Sequence, residues 1–175
     1  FIFLLTIFTC IYAQDYFLSF DGEDDYARFN NVFSGDQDEY SIFFDVTIHA
    51  FSPGAAILVH RLHENDKYFH LNENTDGPIA IGYKDLYNSE WFLSNPIDLD
   101  TEYNVGVVAD GQFITFYVDG DIVASQEREG SSYWNGDGHI DIGGNGSDSW
   151  AGYTNCSIDN LSIWNYTLSE TEIDE

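Results

Sequence analysis

Four acidic residues near the start of the chain are the first candidates for chemistry. Asp21, Glu23, Asp24 and Asp25 lie within five positions, and only Gly22 interrupts them. Carboxylate oxygens are the hard ligands that Ca²⁺ prefers, and a turn can present several of them to one ion. The alternative is structural, because an Asp before a Gly commonly accepts a hydrogen bond from its own turn. The residues alone leave both interpretations open.

A second acidic loop lies in the glycine-rich segment NGDGHIDIGGNGSDS, which contains Asp137, Asp141 and Asp148. Its spacing is similar to that of calcium loops. However, no Glu stands at the closing position and no helical pattern flanks the segment, so it is not an EF-hand. We therefore rank this loop below the first cluster as a cation site.

Aromatic and polar residues in the later loops are candidates for ligand binding. Sugar rings present apolar C–H faces that stack on aromatic side chains, while nearby Asn and Asp bind hydroxyl groups. The candidate ligand-binding residues are Trp91, Tyr133, Trp134, Asn135, Asp137, Asn145, Trp150 and Tyr153. The alternative is that large aromatics such as Trp150 and Tyr153 pack on the edge of the fold.

The sequence offers little support for catalysis. The histidines are scattered, and His60 and His63 form the only close pair, without the Glu-bearing helix of a zinc site. No segment has the pattern of a serine nucleophile elbow. We therefore predict that the chain has no catalytic residues and is not an enzyme.

Composition restricts the classes of partner. The chain has five Lys and Arg against 31 Asp and Glu, which gives a formal net charge of −26. Nucleic-acid binding depends on basic side chains that neutralise phosphates, so this class is excluded. Anionic membrane surfaces are disfavoured for the same reason, whereas cations are attracted.

The first residues are typical of an export signal. Residues 1–13 are apolar and uncharged, and they fall short of the roughly 20 residues that span a bilayer. We interpret them as the remnant of a signal peptide, so the protein is expected to be secreted or at the cell surface, with no membrane insertion of the mature domain. Cys156 is then its only cysteine, so no internal disulfide is expected.

The remaining chain is organised in short strands. Residues 103–125 contain three alternating apolar runs separated by Asp110-Gly111 and Asp119-Gly120, which predict tight hairpins. About ten to twelve such runs occur along the chain, at the roughly 8–12-residue spacing typical of β-sandwiches and jelly rolls. The only helical pattern is at residues 168–175, where Ser169 and Glu172 form a capping box. We predict one all-β domain over residues 15–175.

The order of the motifs supports a specific family. LSFDGEDDYARF, SIFFDVTIHA, YNVGVVADGQFITFYVDGDIVAS, HIDIGGN and CSIDNLSIWNYTLSETEI follow one another along the chain. This order resembles that of a laminin G-like, concanavalin A-like jelly-roll domain, and the resemblance covers residues 18–173. It implies two antiparallel sheets in which the first and last strands are neighbours.

The resemblance also implies a role. Members are mostly binding or adhesion modules of exported proteins, and they often hold calcium where the terminal strands meet. That pairing is expected to bring Asp159 to the acidic turn, so the metal candidates are Asp21, Asp25 and Asp159, with Ca²⁺ as the ion. The expected partner is a glycan or an extracellular protein.

Two rival functions stay open at this point. One is a polysaccharide-cleaving enzyme of glucanase or lyase type on the same sandwich, although the Glu-x-Asp-x-x-Glu strand of the related glucanases is missing here. The other is a structural spacer in a larger surface protein.

Overall fold

The protein consists almost entirely of β-strands. The structure, a computed structural model, describes residues 17–30, 32, 35–61, 67–72, 75–85, 92–128, 132–134, 139–145 and 152–173. The elements in chain order are β1 (Leu18–Asp21), β2 (Ala27–Asn30), β3 (Gly35–Gln37), β4 (Glu39–Ile48), β5 (Ala56–Arg61), β6 (Lys67–Leu71), β7 (Ile81–Asp85), β8 (Phe92–Leu93), β9 (Glu102–Asp110), β10 (Phe113–Val118), β11 (Asp121–Glu127), β12 (Ser132–Trp134), β13 (His139–Ile142), β14 (Asn155–Trp164) and α1 (Glu170–Ile173).

Two six-stranded antiparallel sheets form a sandwich, which confirms the predicted fold class. The first sheet has the order β1-β14-β4-β9-β10-β11, and the second has the order β2-β13-β5-β6-β7-β8. Strands β12 and β3 form a separate two-stranded sheet. Because β1 pairs with β14, the first and last strands are neighbours, as the resemblance implies. No helix in the described ranges has the length and apolar character needed to cross a membrane.

The core lies between the two large sheets and follows the alternation of the strands. In β4, Phe44, Val46 and Ile48 are buried, whereas Asp45 and Thr47 point to the other face. Across the core the ring of Phe44 meets that of Phe69 edge-on, with centroids 4.9 Å apart. The alternating pattern therefore determines which side chains remain on the outer faces.

The hairpin signals match the observed turns. Asp119 and Gly120 both have positive φ, 52° and 78°, as a tight primed turn requires. At the other turn, Asp110 Oδ1 accepts hydrogen bonds from the backbone N–H groups of Gln112 and Phe113. The two turns fix the register of β9, β10 and β11.

The C-terminal segment covers one half of the outer face of the first sheet. Phe43, Val108 and Tyr117 form an apolar cluster there with Leu168. The buried Ser41 hydroxyl donates to the Tyr166 carbonyl and accepts from the Leu168 N–H, both at 3.0 Å. The predicted capping box is present in α1, because the Ser169 N–H donates to Glu172 Oε2 at 2.9 Å.

The other half of this outer face carries polar side chains. Ser157 lies directly opposite Ser19 on one side and Thr47 on the other, and Thr47 lies opposite Glu102. Residues that face each other across neighbouring strands share one face of a sheet. We call this row of four polar residues the open half, together with the neighbouring row of Asp159, Asp45 and Asn104 and the adjoining pair His49 and Asp100.

Candidate functional site

The acidic turn stabilises itself. Asp21 ends β1, and its Oδ1 accepts a hydrogen bond from the Glu23 N–H at 2.8 Å. Gly22 has φ +80°, and a Cβ on it would lie 2.9 Å from the Asn155 backbone nitrogen. The turn therefore requires Gly, and the Asp21 carboxylate holds it as the structural alternative predicted. Asp25 follows in the same exposed segment.

Asp159 does not join this turn, although β1 and β14 are paired. Asp21 lies opposite Asn155, so Asp159 is four residues further along β14, about 13 Å away at the rise of a strand. Calcium ligands lie within about 2.6 Å of the ion, so two ligand oxygens are at most about 5 Å apart. The expectation that one ion binds Asp21, Asp25 and Asp159 together therefore does not fit the structure. Among the residues that the structure describes, no three acidic, His or Cys side chains form a metal-holding group.

Half of the predicted ligand-binding residues are beyond what the structure describes. Trp91, Asn135, Asp137 and Trp150 lie outside the described residues. For Tyr133 and Trp134 the backbone pairing in β12 with β3 is defined, but not the side chains.

The two remaining candidates lie in the loop segments around β13 and β14. Asn145 is only 2% exposed, so its side chain is inside the fold rather than open to a ligand. Tyr153 is half-buried: a Cβ on Gly144 would meet its ring at 2.2 Å, so the ring packs directly on that glycine. The edge-packing alternative therefore holds for part of the Tyr153 ring.

Tyr153 lies beside residues that the sequence analysis did not single out. Its ring centroid is 6.5 Å from that of Tyr26, which is 41% exposed. The Arg28 guanidinium lies 5.3 Å from the Tyr26 ring centroid, within the range of a cation–π contact. Tyr26 precedes β2 and Arg28 lies within it, two positions apart. That spacing is the sequence signal that could have identified them. We call Tyr26, Arg28 and Tyr153 the tyrosine–arginine surface.

A buried carboxylate fixes the arginine. Arg28 Nε and Nη2 donate to the two oxygens of Asp141 at 2.7 and 2.8 Å, and the Asp141 side chain is fully buried. This paired contact raises the pKa of Arg28 above its usual value, although burial acts in the opposite direction. His139 Nε2 lies 3.5 Å from Asp141 Oδ2 on the same strand. Asp141 was predicted as a secondary cation ligand, and in the structure it instead holds an arginine.

The open half contains a second group of interacting polar side chains. His49 Nδ1 lies 2.7 Å from Asp100 Oδ1, and His49 Nε2 lies 2.8 Å from Ser157 Oγ. A depression of about 280 Å³ adjoins them, lined in part by Phe17, Thr47 and Glu102. Asp100 and Ser157 lie 51 and 108 positions after His49 in the sequence, so no local motif could have revealed this group.

Two carboxylates also face each other on the open half. Asp45 on β4 lies directly opposite Asp159 on β14. Both oxygens of Asp45 accept hydrogen bonds at 2.7 Å, one from the Asn104 amide and one from the Asn160 amide. Asp159 Oδ1 accepts from the Asn160 N–H at the irregularity in β14. Asp45 is thus engaged in holding neighbouring strands, which does not suit a general acid for glycoside cleavage.

Comparisons with known structures agree with the architecture. The structure of domain 4 of AbnA, an extracellular GH43 arabinanase from Geobacillus stearothermophilus, in complex with arabinotriose, has a TM-score of 0.63. The two are 15% identical, and the match covers 92% of this chain and 81% of that one. The native heptameric SAP-like pentraxin of Limulus polyphemus has a TM-score of 0.61 at 16% identity, covering 89% and 78%.

A third similar structure is much larger than this chain. The Trypanosoma rangeli sialidase in complex with 2,3-difluorosialic acid has a TM-score of 0.59 at 21% identity. The match covers 78% of this chain but only 22% of the sialidase. At these identities the likeness shows the fold alone.

The family is established by sequence. No curated protein matches this chain. A laminin G-type family model, described as the concanavalin A-like lectin/glucanases superfamily, matches residues 21–174. That range begins at the end of β1 and continues to the end of α1, so it includes nearly every strand of both sheets. This chain belongs to the concanavalin A-like lectin/glucanases superfamily.

Proposed function

We propose that this domain is an exported module that binds glycans through the tyrosine–arginine surface and does not cleave them. One observation carries the proposal: an exposed Tyr26 ring lies beside a guanidinium that a buried carboxylate holds in place. A sugar needs an aromatic face to stack on and fixed donors for its hydroxyl groups. Because Asp141 already orients Arg28, little side-chain entropy is lost when a ligand binds.

The charge of the surface favours a neutral sugar. The Arg28 charge is balanced by Asp141, and the whole chain has a formal net charge of −26. An acidic glycan would be repelled by the field of the protein, whereas a neutral one would not. The bound arabinotriose in the similar arabinanase domain is consistent with a short neutral oligosaccharide as the ligand class.

The loop residues predicted from the sequence stay candidates for further glycan contacts. Trp91, Tyr133, Trp134, Asn135, Asp137 and Trp150 stay predictions as further contacts along a longer glycan. Asn145 is assigned a supporting role within the fold because it is buried.

Substitution of one tyrosine tests the proposal. We expect Tyr26→Ala to weaken binding of neutral oligosaccharides about fivefold, since a stacking contact is worth about 1 kcal/mol. Binding is screened on an array of neutral and acidic glycans and then measured by calorimetry. Tyr166→Ala is the matched control, because Tyr166 is 44% exposed and its backbone carbonyl accepts a hydrogen bond from Ser41 on the first sheet. Equal loss in both variants, or binding to no neutral glycan, would contradict the proposal.

The rival functions need separate measurements. Release of reducing ends from neutral polysaccharides would favour a cleaving enzyme. Adhesion to an extracellular protein, with no glycan bound, would favour a protein-binding role. A domain that binds neither would be a structural spacer.

Calcium binding stays a prediction, now limited to the acidic turn. Glu23, Asp24 and Asp25 are all exposed there. A ligand that binds only the native state stabilises it by about 2.7 kcal/mol at a concentration of 100 Kd. A higher Tm in excess Ca²⁺ than in EDTA, lost in Asp25→Asn, would support calcium at the turn. An identical Tm in both conditions would remove the ion from the proposal.

A further inference from the structure

Three side chains on the open half form a continuous chain of hydrogen bonds. The Asp100 carboxylate can only accept, so His49 Nδ1 carries the hydrogen and donates to it at 2.7 Å. The neutral ring then has its lone pair on Nε2, which accepts from the Ser157 hydroxyl at 2.8 Å. A serine hydroxyl, a histidine in this tautomer and an orienting carboxylate are the parts of a general-base-activated nucleophile.

Backbone hydrogen bonds hold all three residues in place, and Ser157 is held within β14 by its pairing with β1 and β4. The His49 N–H donates to the Asn155 carbonyl at 2.9 Å, which ties the end of β4 to the start of β14. The Asp100 N–H donates to the Ile48 carbonyl, also at 2.9 Å. Asp100 has φ 57°, a left-handed conformation that Asp tolerates better than most residues. Backbone hydrogen bonds therefore fix both His49 and its partner Asp100.

The surroundings provide space and hydrogen-bond donors for a substrate. The adjoining depression of about 280 Å³ is open to solvent and includes the exposed Phe17 ring. Ser19 and Thr47 lie directly opposite Ser157 on the two neighbouring strands. Their hydroxyl groups are candidates to donate to a carbonyl oxygen whose carbon is attacked by Ser157.

We propose that Ser157, His49 and Asp100 form a hydrolytic site for small neutral acyl esters. Ser157 Oγ bonds to the acyl carbon while its proton passes to His49 Nε2. The ester C–O bond then breaks, and the leaving alcohol takes that proton. A water molecule next gives a proton to His49 while its oxygen bonds to the acyl carbon, and the bond between Ser157 Oγ and that carbon breaks, which releases the carboxylic acid. Ser157 Oγ regains the proton, so the enzyme is unchanged.

The electrostatics select the substrate class. Asp45, Glu102 and Asp159 border the same depression, and they repel an anionic ester. Its size suits a short acyl group rather than a long chain. This site is on the first sheet, whereas the tyrosine–arginine surface is built on the second. Failure of one proposal therefore leaves the other unaffected.

Hydrolysis of p-nitrophenyl acetate by the whole chain tests the proposal. We expect Ser157→Ala and His49→Ala to lower kcat/KM by about 100-fold or more, the usual range for loss of general-base catalysis. Asp100→Asn should cost about tenfold, since the Asp100 side chain is 74% exposed and water competes for its contact. Ser125→Ala, which removes an exposed hydroxyl bonded to Thr115 on the same sheet, should leave the rate unchanged.

Covalent labelling provides a second, independent measurement. A fluorophosphonate should modify Ser157, located by mass spectrometry, and His49→Ala should prevent the modification. Circular dichroism confirms that each variant is folded. An unchanged rate in Ser157→Ala, or absence of label on Ser157 in the folded protein, would overturn the proposal.

Discussion

Two histidines on opposite sides of the sandwich have very different environments. His49 belongs to the outer face of the first sheet, and its side chain is 35% exposed. His70 belongs to the outer face of the second sheet, yet it is only 1% exposed. Both are outward by strand alternation, since Ile48 and Leu71 beside them face the core. The alternation gives the face of each residue, but not whether that face is covered.

This difference decides what each group can do. His49 bonds to Asp100 and Ser157 at the surface, where a small molecule can reach it. His70 Nδ1 donates to the Leu71 carbonyl at 2.8 Å, and burial lowers the pKa of its ring to about 4. An open ionisable group is available for chemistry, whereas a buried one makes stability depend on pH.

The largest expected effect contrasts two adjacent residues of β14. Cys156 faces the core with no exposed surface, and burial raises the pKa of its thiol to about 12. Iodoacetamide should therefore alkylate native Cys156 at pH 8 about 1,000-fold more slowly than an exposed thiol. Peptide mass spectrometry with and without urea measures this. Rapid native labelling would mean that the strand opens, and would weaken the contrast with Ser157.

The second expected effect concerns His70 and acid. The unfolded His70 binds a proton below a pH of about 6.5, whereas the folded one does so only near its lowered pKa of about 4. The unfolded state therefore holds more protons between these values, and stability falls as the pH drops through this window. We expect this residue to account for about 2 to 3 kcal/mol between pH 7 and pH 4.5.

Substitutions at the two histidines isolate the contribution of His70 to the loss of stability in acid. Urea unfolding at both pH values should show a smaller loss in His70→Gln than in the wild type. His49→Gln is the matched control and should retain the His70 contribution. If both variants lose the same amount as the wild type, burial of His70 does not control acid stability.

The third prediction concerns the buried carboxylate of the second sheet. Arg28→Met leaves Asp141 without its bidentate partner and should cost about 2 kcal/mol. This is below the usual range for fully buried pairs because the Arg28 side chain is 31% exposed. The double variant Arg28→Met/Asp141→Leu should recover much of the loss. Additive losses in urea unfolding would mean that the ion pair is not coupled.

The smallest expected effect is on the open half. His49→Ala and Ser157→Ala should each change the free energy of unfolding by less than about 1 kcal/mol, because exposed polar contacts contribute little. A loss of 2 kcal/mol or more would identify the His49 contacts as structural and would argue against their catalytic use.

Sequence patterns predicted the strands well because strand structure is local. The alternation in β4 and the Asp119-Gly120 turn could be read directly, and the structure confirms both. The predicted capping box is also present, with Ser169 and Glu172 hydrogen-bonded. These features depend only on residues within a few positions of one another.

The sites were predicted less well because they depend on register. The family resemblance implied that β1 and β14 are neighbours, but not that Asp21 pairs with Asn155, which moves Asp159 away from the turn. The irregularity in β14 at residues 159–162, where Asn160 has φ 50°, has no simple sequence signal.

The amino-acid sequence by itself determined the class of fold, the acidic surface and the positions of the tight turns. Hydrophobic alternation and turn chemistry act between residues close in the chain, so both can be recognised from the sequence alone. Only the tertiary structure decided that His49 meets Asp100 and Ser157, and that Arg28 meets Asp141. These contacts join residues up to 113 positions apart, and strand order and register across two sheets bring them together.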